Sequence, residues 1–356
     1  MHMLGCPTGH PAHFSLHGDP DVDASEPRPP FTQLIDLAAE RFGGRVLWCT
    51  DDFFAEKENL IRPGDAIFIA DRYTERGKWM DGWESRRKRT EGHDIAILQL
   101  GAAGCVRGFD VDTSFFLGNH PPHCSIEACH APHGLASPDG QGEEWVEILA
   151  HTPLSPGSHH LLEPTSAARD LQATHLRFHI HPDGGVARLR VYGEVTLDSA
   201  HLSRGSELDL ASAQHGALAL ACNDMFFSHM QNLLMPGRGV NMGDGWETKR
   251  NRTPGNRDWV VIRLATRGAL ERAIIDTAHF KGNYPDSCEI SGCDSALDDL
   301  STMNWFPILA RTKLEADREH AIDFPAGLAP VTHVQLSIFP DGGVSRLRLF
   351  GTPVRT

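Results

Sequence analysis

The chain has 356 residues, 40% hydrophobic and 22% charged, enough for two domains of ordinary globular composition. Its formal net charge of −14 argues against a nucleic-acid partner or an anionic membrane surface, though not against a small anionic substrate held by local positive charge. No apolar run approaches the roughly 18 residues of a spanning helix, and residues 1–30 lack the basic and apolar regions of a signal peptide, so the expected compartment is cytoplasmic.

Residues 1–30 are rich in turn formers, carry no period and read as a disordered tail. Residues 31–42 show helical spacing, with Leu34, Leu37, Ala38 and Arg41 on one face, Thr32 placed to cap and Gly43-Gly44 as a stop. From residue 46 onward the chain is written twice. Asp51-Asp52-Phe53-Phe54 matches Asp224-Met225-Phe226-Phe227, and Asn59-Leu60-Ile61-Arg62-Pro63-Gly64 matches Asn232-Leu233-Leu234-Met235-Pro236-Gly237. The offset is 173 at Asn59 and Asn232 but 163 at Asp81 and Asp244, so the first copy carries ten extra residues between Gly64 and Asp81.

The copies agree best in chemical character at Asp81-Gly82-Trp83-Glu84-Ser85-Arg86-Arg87-Lys88-Arg89 and Asp244-Gly245-Trp246-Glu247-Thr248-Lys249-Arg250-Asn251-Arg252. An apolar strand follows in each, residues 94–100 and 258–264, then Asp112-Thr113 and Asp276-Thr277, each leading to a Gly-Asn-x-Pro turn. Each copy closes on alternating residues around Pro182-Asp183-Gly184-Gly185 or Pro340-Asp341-Gly342-Gly343, a pattern that predicts a β-hairpin. Nine of thirteen positions are identical between 181–193 and 339–351, so the halves are homologous. Short strands, Gly/Pro/Asn turns and one short N-terminal helix per copy describe an all-β protein. We expect two tandem jelly-roll β-sandwich repeats over 31–195 and 206–356, joined by a linker over 196–205.

Six of the eight cysteines fall in repeat-equivalent pairs and read as buried small apolar side chains in a reduced protein. His179-x-His181 resembles a metal-binding strand, but repeat two has Ser337 and Phe339 there. The alternation with Leu176 and Phe178 points both histidines to solvent. In the Asp-Gly-Trp-Glu motif, an indole beside carboxylates and guanidinium groups suits a small planar polar ligand. Arg grips carboxylates, and Asp and Glu accept from amide N–H groups.

These residues together resemble the allantoicase family. The resemblance is carried by Asp52-Phe53-Phe54-Ala55, Lys57-Glu58-Asn59-Leu60, Gly77-Lys78-Trp79-Met80-Asp81-Gly82-Trp83-Glu84, Gly92-His93-Asp94, Asp110-Val111-Asp112-Thr113-Ser114-Phe115-Phe116 and Gly118-Asn119. In the second half it is carried by Asn223-Asp224, Asp244-Gly245-Trp246-Glu247-Thr248, Arg257-Asp258-Trp259 and Gly282-Asn283-Tyr284-Pro285. It covers residues 31–356 in order. It departs where Ile95 stands for a Trp and His120 for a Tyr.

The resemblance implies two jelly-roll repeats like galactose-binding domains and hydrolysis of allantoate to ureidoglycolate and urea. It also implies a homo-oligomer and leaves a divalent metal requirement open. Allantoate carries a carboxylate and two ureido groups, so its cleavage asks for a cationic anchor, a general acid and a base for water. On that expectation Arg87 and Lys78 anchor the carboxylate, Glu84, His93 and Asp112 do the acid–base work, and Asp81, Trp83 and Asn119 contact the ureido groups. Asp244, Trp246, Glu247, Arg250, Asp276, His279 and Asn283 are their counterparts in repeat two. Two other readings stay open: a non-catalytic jelly-roll ligand-binding module, and a hydrolase of a related ureido acid.

Overall fold

This computed structural model describes residues 28–197 and 207–354. All but the last three residues of the expected tail, and most of the expected linker, lie outside the described residues.

The architecture follows from one long strand in each repeat, Asp94–Asp112 and Asp258–Asp276, each of 19 residues. Apolar side chains recur on alternate positions at its start, where Ala96, Leu98 and Leu100 are buried, and again at its end, where Phe109 and Val111 are buried. Its first half pairs antiparallel with Arg45–Cys49 and Gln172–His181. Its second half pairs with His159–Leu162 and Arg188–Val195. Sequence-distant strands therefore meet on one ribbon, and the order of elements repeats in the second half around Asp258–Asp276. The all-β reading with two tandem sheet-rich repeats holds.

Burial does not stop at the repeat boundary. Leu37, Phe42, Leu98 and Phe178 of repeat one belong to the same buried cluster as Leu210, Ala213, Ile262 and Leu336 of repeat two. Polar ties cross the same junction: Gln214 Nε2 donates to the Phe42 carbonyl at 3.2 Å, and Arg41 meets Asp244 at 3.0 Å.

Three local expectations are corrected. Residues 31–42 do not form one helix. They form 3-10 turns at Pro30–Gln33 and Glu40–Phe42 around a two-residue strand, Ile35–Asp36. The reason is Asp36, whose Oδ1 accepts from the backbone N–H groups of Ala38 at 3.1 Å and Val191 at 2.9 Å, so the segment is fastened to a strand edge. Repeat two begins likewise, with Leu208–Asp209 and a 3-10 turn at Ala213–His215.

The Pro-Asp-Gly-Gly turn does not close a hairpin. Gln172–His181 and Arg188–Val195 both flank the long strand rather than pairing with each other. Between them Gly185–Val186 pairs with Trp83–Glu84. The glycines permit this. A Cβ on Gly184, at φ +136°, would sit 2.6 Å from the Asn119 carbonyl, and one on Gly185 would sit 2.0 Å from the Phe116 ring. The turn is thus pressed against the Gly118-Asn119 loop, and Gly185 N–H donates to the Asn119 carbonyl at 2.8 Å.

His179, expected in solvent, is buried, for reasons given below.

Candidate functional site

Glu84 lies on the short strand Trp83–Glu84, which is gripped from both sides. Ala55 bridges it on one flank and Gly185 pairs with it on the other. Its carboxylate accepts from Asn119 Nδ2 at 2.6 Å. Burial raises its pKa above the ordinary glutamate value and outweighs the opposing effect of that hydrogen bond. Repeat two has the same pair, Asn283 Nδ2 to Glu247 Oε1, and Glu247 is raised for the same reason.

In repeat one this pair stands in a cleft of about 400 Å³ lined by Phe54, Phe68, Lys78, Met80, Glu84, Phe115, Leu117, Gly118 and Asn119. Phe68 and Phe115 stack at 5.6 Å, and Lys78 Nζ lies 4.4 Å from the centre of the Phe68 ring. Phe68 and Lys78 both belong to the inserted segment, where Tyr73–Thr74 and Gly77–Lys78 make a small antiparallel ladder. Phe115 sits at φ 68°, and its repeat-two counterpart His279 at φ 72°. Non-glycine residues rarely occupy that region, and such conformations gather at functional sites.

The other expected site residues fall elsewhere. Trp83 and Trp246 have no exposed surface. Each indole Nε1 donates to a backbone carbonyl, Asp51 at 2.8 Å and Asp224 at 2.9 Å, so they are core side chains. Asp81 is closed on Arg188 at 2.7 Å and Asp244 on Arg346 at 2.8 Å, with all four side chains largely buried. Asp112 is buried, accepts from Ser114 N–H at 2.7 Å and lies 3.8 Å from His159. Asp276 accepts from Ala278 N–H at 2.8 Å. Arg87 and Arg250 are exposed and do not line the cleft. His279 Nε2 is spent on the Gly239 carbonyl at 2.8 Å. His93 stands in a histidine cluster on the sheet face.

Of the expected repeat-one residues, the structure brings together Glu84, Lys78 and Asn119. The sequence reading missed the apolar wall of Phe54, Phe68, Phe115 and Leu117. Its signal was the exposed triplet Ile67-Phe68-Ile69, which has no folding reason to be apolar in a loop. The cleft offers one carboxylate, one amide and one ammonium, which is not the donor set of a divalent cation. Among the described residues no three His, Cys, Asp or Glu side chains are placed to hold a metal ion. The seven described cysteines are free, and four are buried.

Fold and site together define a tandem-repeat β-sandwich protein with a half-buried carboxyl group and an ammonium in one apolar cleft. Comparison narrows this class. The family model for the allantoicase repeat matches residues 35–196 and 208–354. The chain is 50% identical to a probable allantoicase of Burkholderia mallei over 92% of its own length and 98% of the relative's. It is 48% identical to a probable allantoicase of Pseudomonas fluorescens over 90% and 97%. The crystal structure of allantoicase from Saccharomyces cerevisiae superposes with a TM-score of 0.76 at 38% identity, covering 89% of this chain and 92% of that one. The chain belongs to the allantoicase family.

Proposed function

We propose that this chain is an enzyme of purine degradation that hydrolyses allantoate to ureidoglycolate and urea in the cleft of repeat one. The observation that carries the site assignment is the juxtaposition of Glu84, half-buried and with its pKa raised, with Lys78 and a stacked aromatic wall. The ammonium of Lys78 faces the carboxylate of the substrate, and the Phe68–Phe115 wall receives a planar ureido group. Glu84, protonated, gives its proton to the nitrogen of the departing urea. The C–N bond breaks as the lone pair of the remaining ureido nitrogen moves in to form a C=N bond. Water then adds at the same carbon and returns a proton to Glu84. One water enters, one urea leaves, and the carboxyl group ends as it began.

His93 and Asp112 do not reach the cleft, so Glu84 serves as acid and then as base. Asn119 sets its orientation and offers a polar edge to the substrate. Because burial raises the Glu84 pKa, the acid form persists to higher pH than for an exposed glutamate, and activity falls as pH rises past that point. The free thiols among the described residues suit a reducing, cytoplasmic setting. Exposed Phe226, Phe227, Val240 and Met242 of repeat two suit assembly into a homo-oligomer.

The test is urea release from allantoate, with ureidoglycolate compared as substrate, by the parent chain and by Glu84→Gln. Release from allantoate that collapses in a folded Glu84→Gln protein is the expected result. Full release by that variant overturns the site, and no release by the parent overturns the reaction.

A further inference from the structure

On the outer face of the repeat-one sheet, five imidazoles touch in series. His93 Nε2 lies 2.8 Å from His179 Nδ1, and His179 Nε2 lies 2.8 Å from Glu127 Oε2. Ring centres are 4.3 Å apart for His93 and His181, 4.7 Å for His181 and His151, and 4.4 Å for His151 and His123. The topology explains the cluster. His181 is opposite His123 and His179 opposite Ser125 in adjacent strands, while His93 enters from the residue before the long strand.

The hydrogen bonds fix the protons. Glu127 only accepts when ionised, so His179 carries its proton on Nε2 and accepts at Nδ1. His93 therefore donates from Nε2. The pair keeps its hydrogen bond with one added proton, whichever ring holds it, and loses it when both rings are protonated, because His93 Nε2–H and His179 Nδ1–H then face each other.

The charged surroundings are mixed in sign: Glu127 and Asp94 favour an imidazolium, and Arg177 and Lys88 oppose it. Arg177 Nε and His179 share Glu127 Oε2, and Lys88 Nζ holds Asp94 at 2.6 Å beside His93. The other charged groups around the cluster are Asp183, which accepts from Lys88 N–H, and Glu147, opposite Glu127.

We propose that these five histidines form a proton-sensitive clasp, which holds the outer face of repeat one together when neutral and releases it when protonated. Release would reach the candidate cleft by a short route. His181 leads into the Pro-Asp-Gly-Gly turn, Asp183 of that turn fastens Lys88, and Gly185 is the strand partner of Glu84. The clasp itself does not depend on which reaction the cleft performs.

Repeat two is the internal control. Aligned along the paired strands, the positions of His93, His123, His151, His179 and His181 hold Arg257, Ser287, Arg311, Ser337 and Phe339. There Arg311 donates to Ser287 Oγ at 2.8 Å and lies 3.9 Å from the Phe339 ring centre. None of these five side chains is an imidazole. Burial holds His93 and His179 below the ordinary imidazole range, and burial with the neighbouring rings brings His181 to about 4. A histidine pKa depressed by folding contributes stability present above about pH 6.5 that is lost as pH falls from there toward about 4.

Amide hydrogen exchange of the full chain at pH 7 and pH 5, corrected for intrinsic rates, tests this. Protection across residues 120–128 and 176–185 is expected to fall by at least about tenfold at pH 5, the effect of one pKa unit. Protection across 284–292 and 334–343 is expected to hold. Equal loss in both repeats, or none in repeat one, overturns the proposal. His151→Arg with His181→Phe installs the repeat-two pair and should abolish most of the acid-linked loss; a folded double variant that still shows all of it overturns the clasp. Should that variant fail to fold, NMR titration of the imidazoles in the unaltered protein decides. Midpoints below the free-imidazole value for His93, His179 and His181 support the clasp, and ordinary midpoints overturn it.

Discussion

In repeat one, Asp81 meets Arg188 at 2.7 Å, and in repeat two Asp244 meets Arg346 at 2.8 Å. Asn59 and Asn232 each donate to the carbonyl of the glycine in the Asp-Gly-Trp-Glu motif, at 2.8 and 2.9 Å. Lys88 and Asn251 each donate a backbone N–H to the aspartate of the Pro-Asp-Gly-Gly turn, at 2.8 and 2.7 Å. Each of these duplicated contacts lies within its own repeat and holds the frame. The Glu–Asn pair is also duplicated, but its surroundings are not. In repeat one it faces Lys78, Phe68 and Phe115. In repeat two the positions of Phe115 and Leu117 hold His279, bound to Gly239, and Lys281, beside Asp317 at 3.6 Å. Duplication marks what folds the chain, and asymmetry marks where the copies differ in use.

The sharpest way to break that comparison is to remove each carboxyl in turn. Glu84→Gln is expected to lower kcat for urea release by about 10²–10⁴, the usual worth of a positioned general acid. Glu247→Gln should stay within a few-fold of the parent. Equal losses would mean that both repeats react, and would sink the assignment of one working cleft.

The frame predicts the next effect. Asp81→Ala leaves Arg188 buried without its carboxylate, and breaking such a pair costs about 3–5 kcal/mol. Denaturant unfolding should show it, with Asp244→Ala costing a similar amount and also freeing Arg41 across the repeat junction. A third substitution separates binding from frame. Lys78→Met is expected to raise KM for allantoate with thermal stability unchanged, because Lys78 is exposed at the cleft. The loss in kcat/KM should be roughly tenfold to a hundredfold, as for a hydrogen bond to a charged group. A variant with unaltered KM would remove Lys78 as the anchor.

What the sequence made legible tracks these same physical distinctions. The duplication, the all-β class and the Glu84–Asn119 neighbourhood were readable because they rest on local patterns written twice. Trp83 was misread as a pocket wall because the pattern shows an indole among charges but not which side of the strand is core. His93 and Asp112 were misread for a related reason: nearness to a motif in sequence is not nearness in space when strands cross between layers. The Pro-Asp-Gly-Gly segment carries every local sign of a hairpin, and tertiary pairing to the long strand overrides them. The histidine cluster was beyond reach, since its members come from four separate segments.

A smaller contrast tests how far the asymmetry extends. The end of the long strand carries Asp112 in repeat one and Asp276 in repeat two. The partner strand sets His159 opposite the first and Glu319 opposite the second, where Arg238 lies 3.5 Å from Asp276 and 3.4 Å from Glu319. His159 lies 2.9 Å from Asp110, and its hydrogen bond to that carboxylate, with both nearby charges, raises its pKa to about 9. A histidine pKa raised by folding contributes stability fully present below about pH 6.5 and lost as pH rises through 9. His159 is partly open to solvent, so screening shrinks the effect, and a fall in Tm of only a few degrees between pH 7 and pH 9.5 is expected. His159→Gln should flatten that limb, whereas Arg238→Gln should leave it unchanged, because a guanidinium does not titrate there. A Tm that falls equally in the His159→Gln protein would assign the alkaline limb to another group and leave this pair of sites alike in their response to pH.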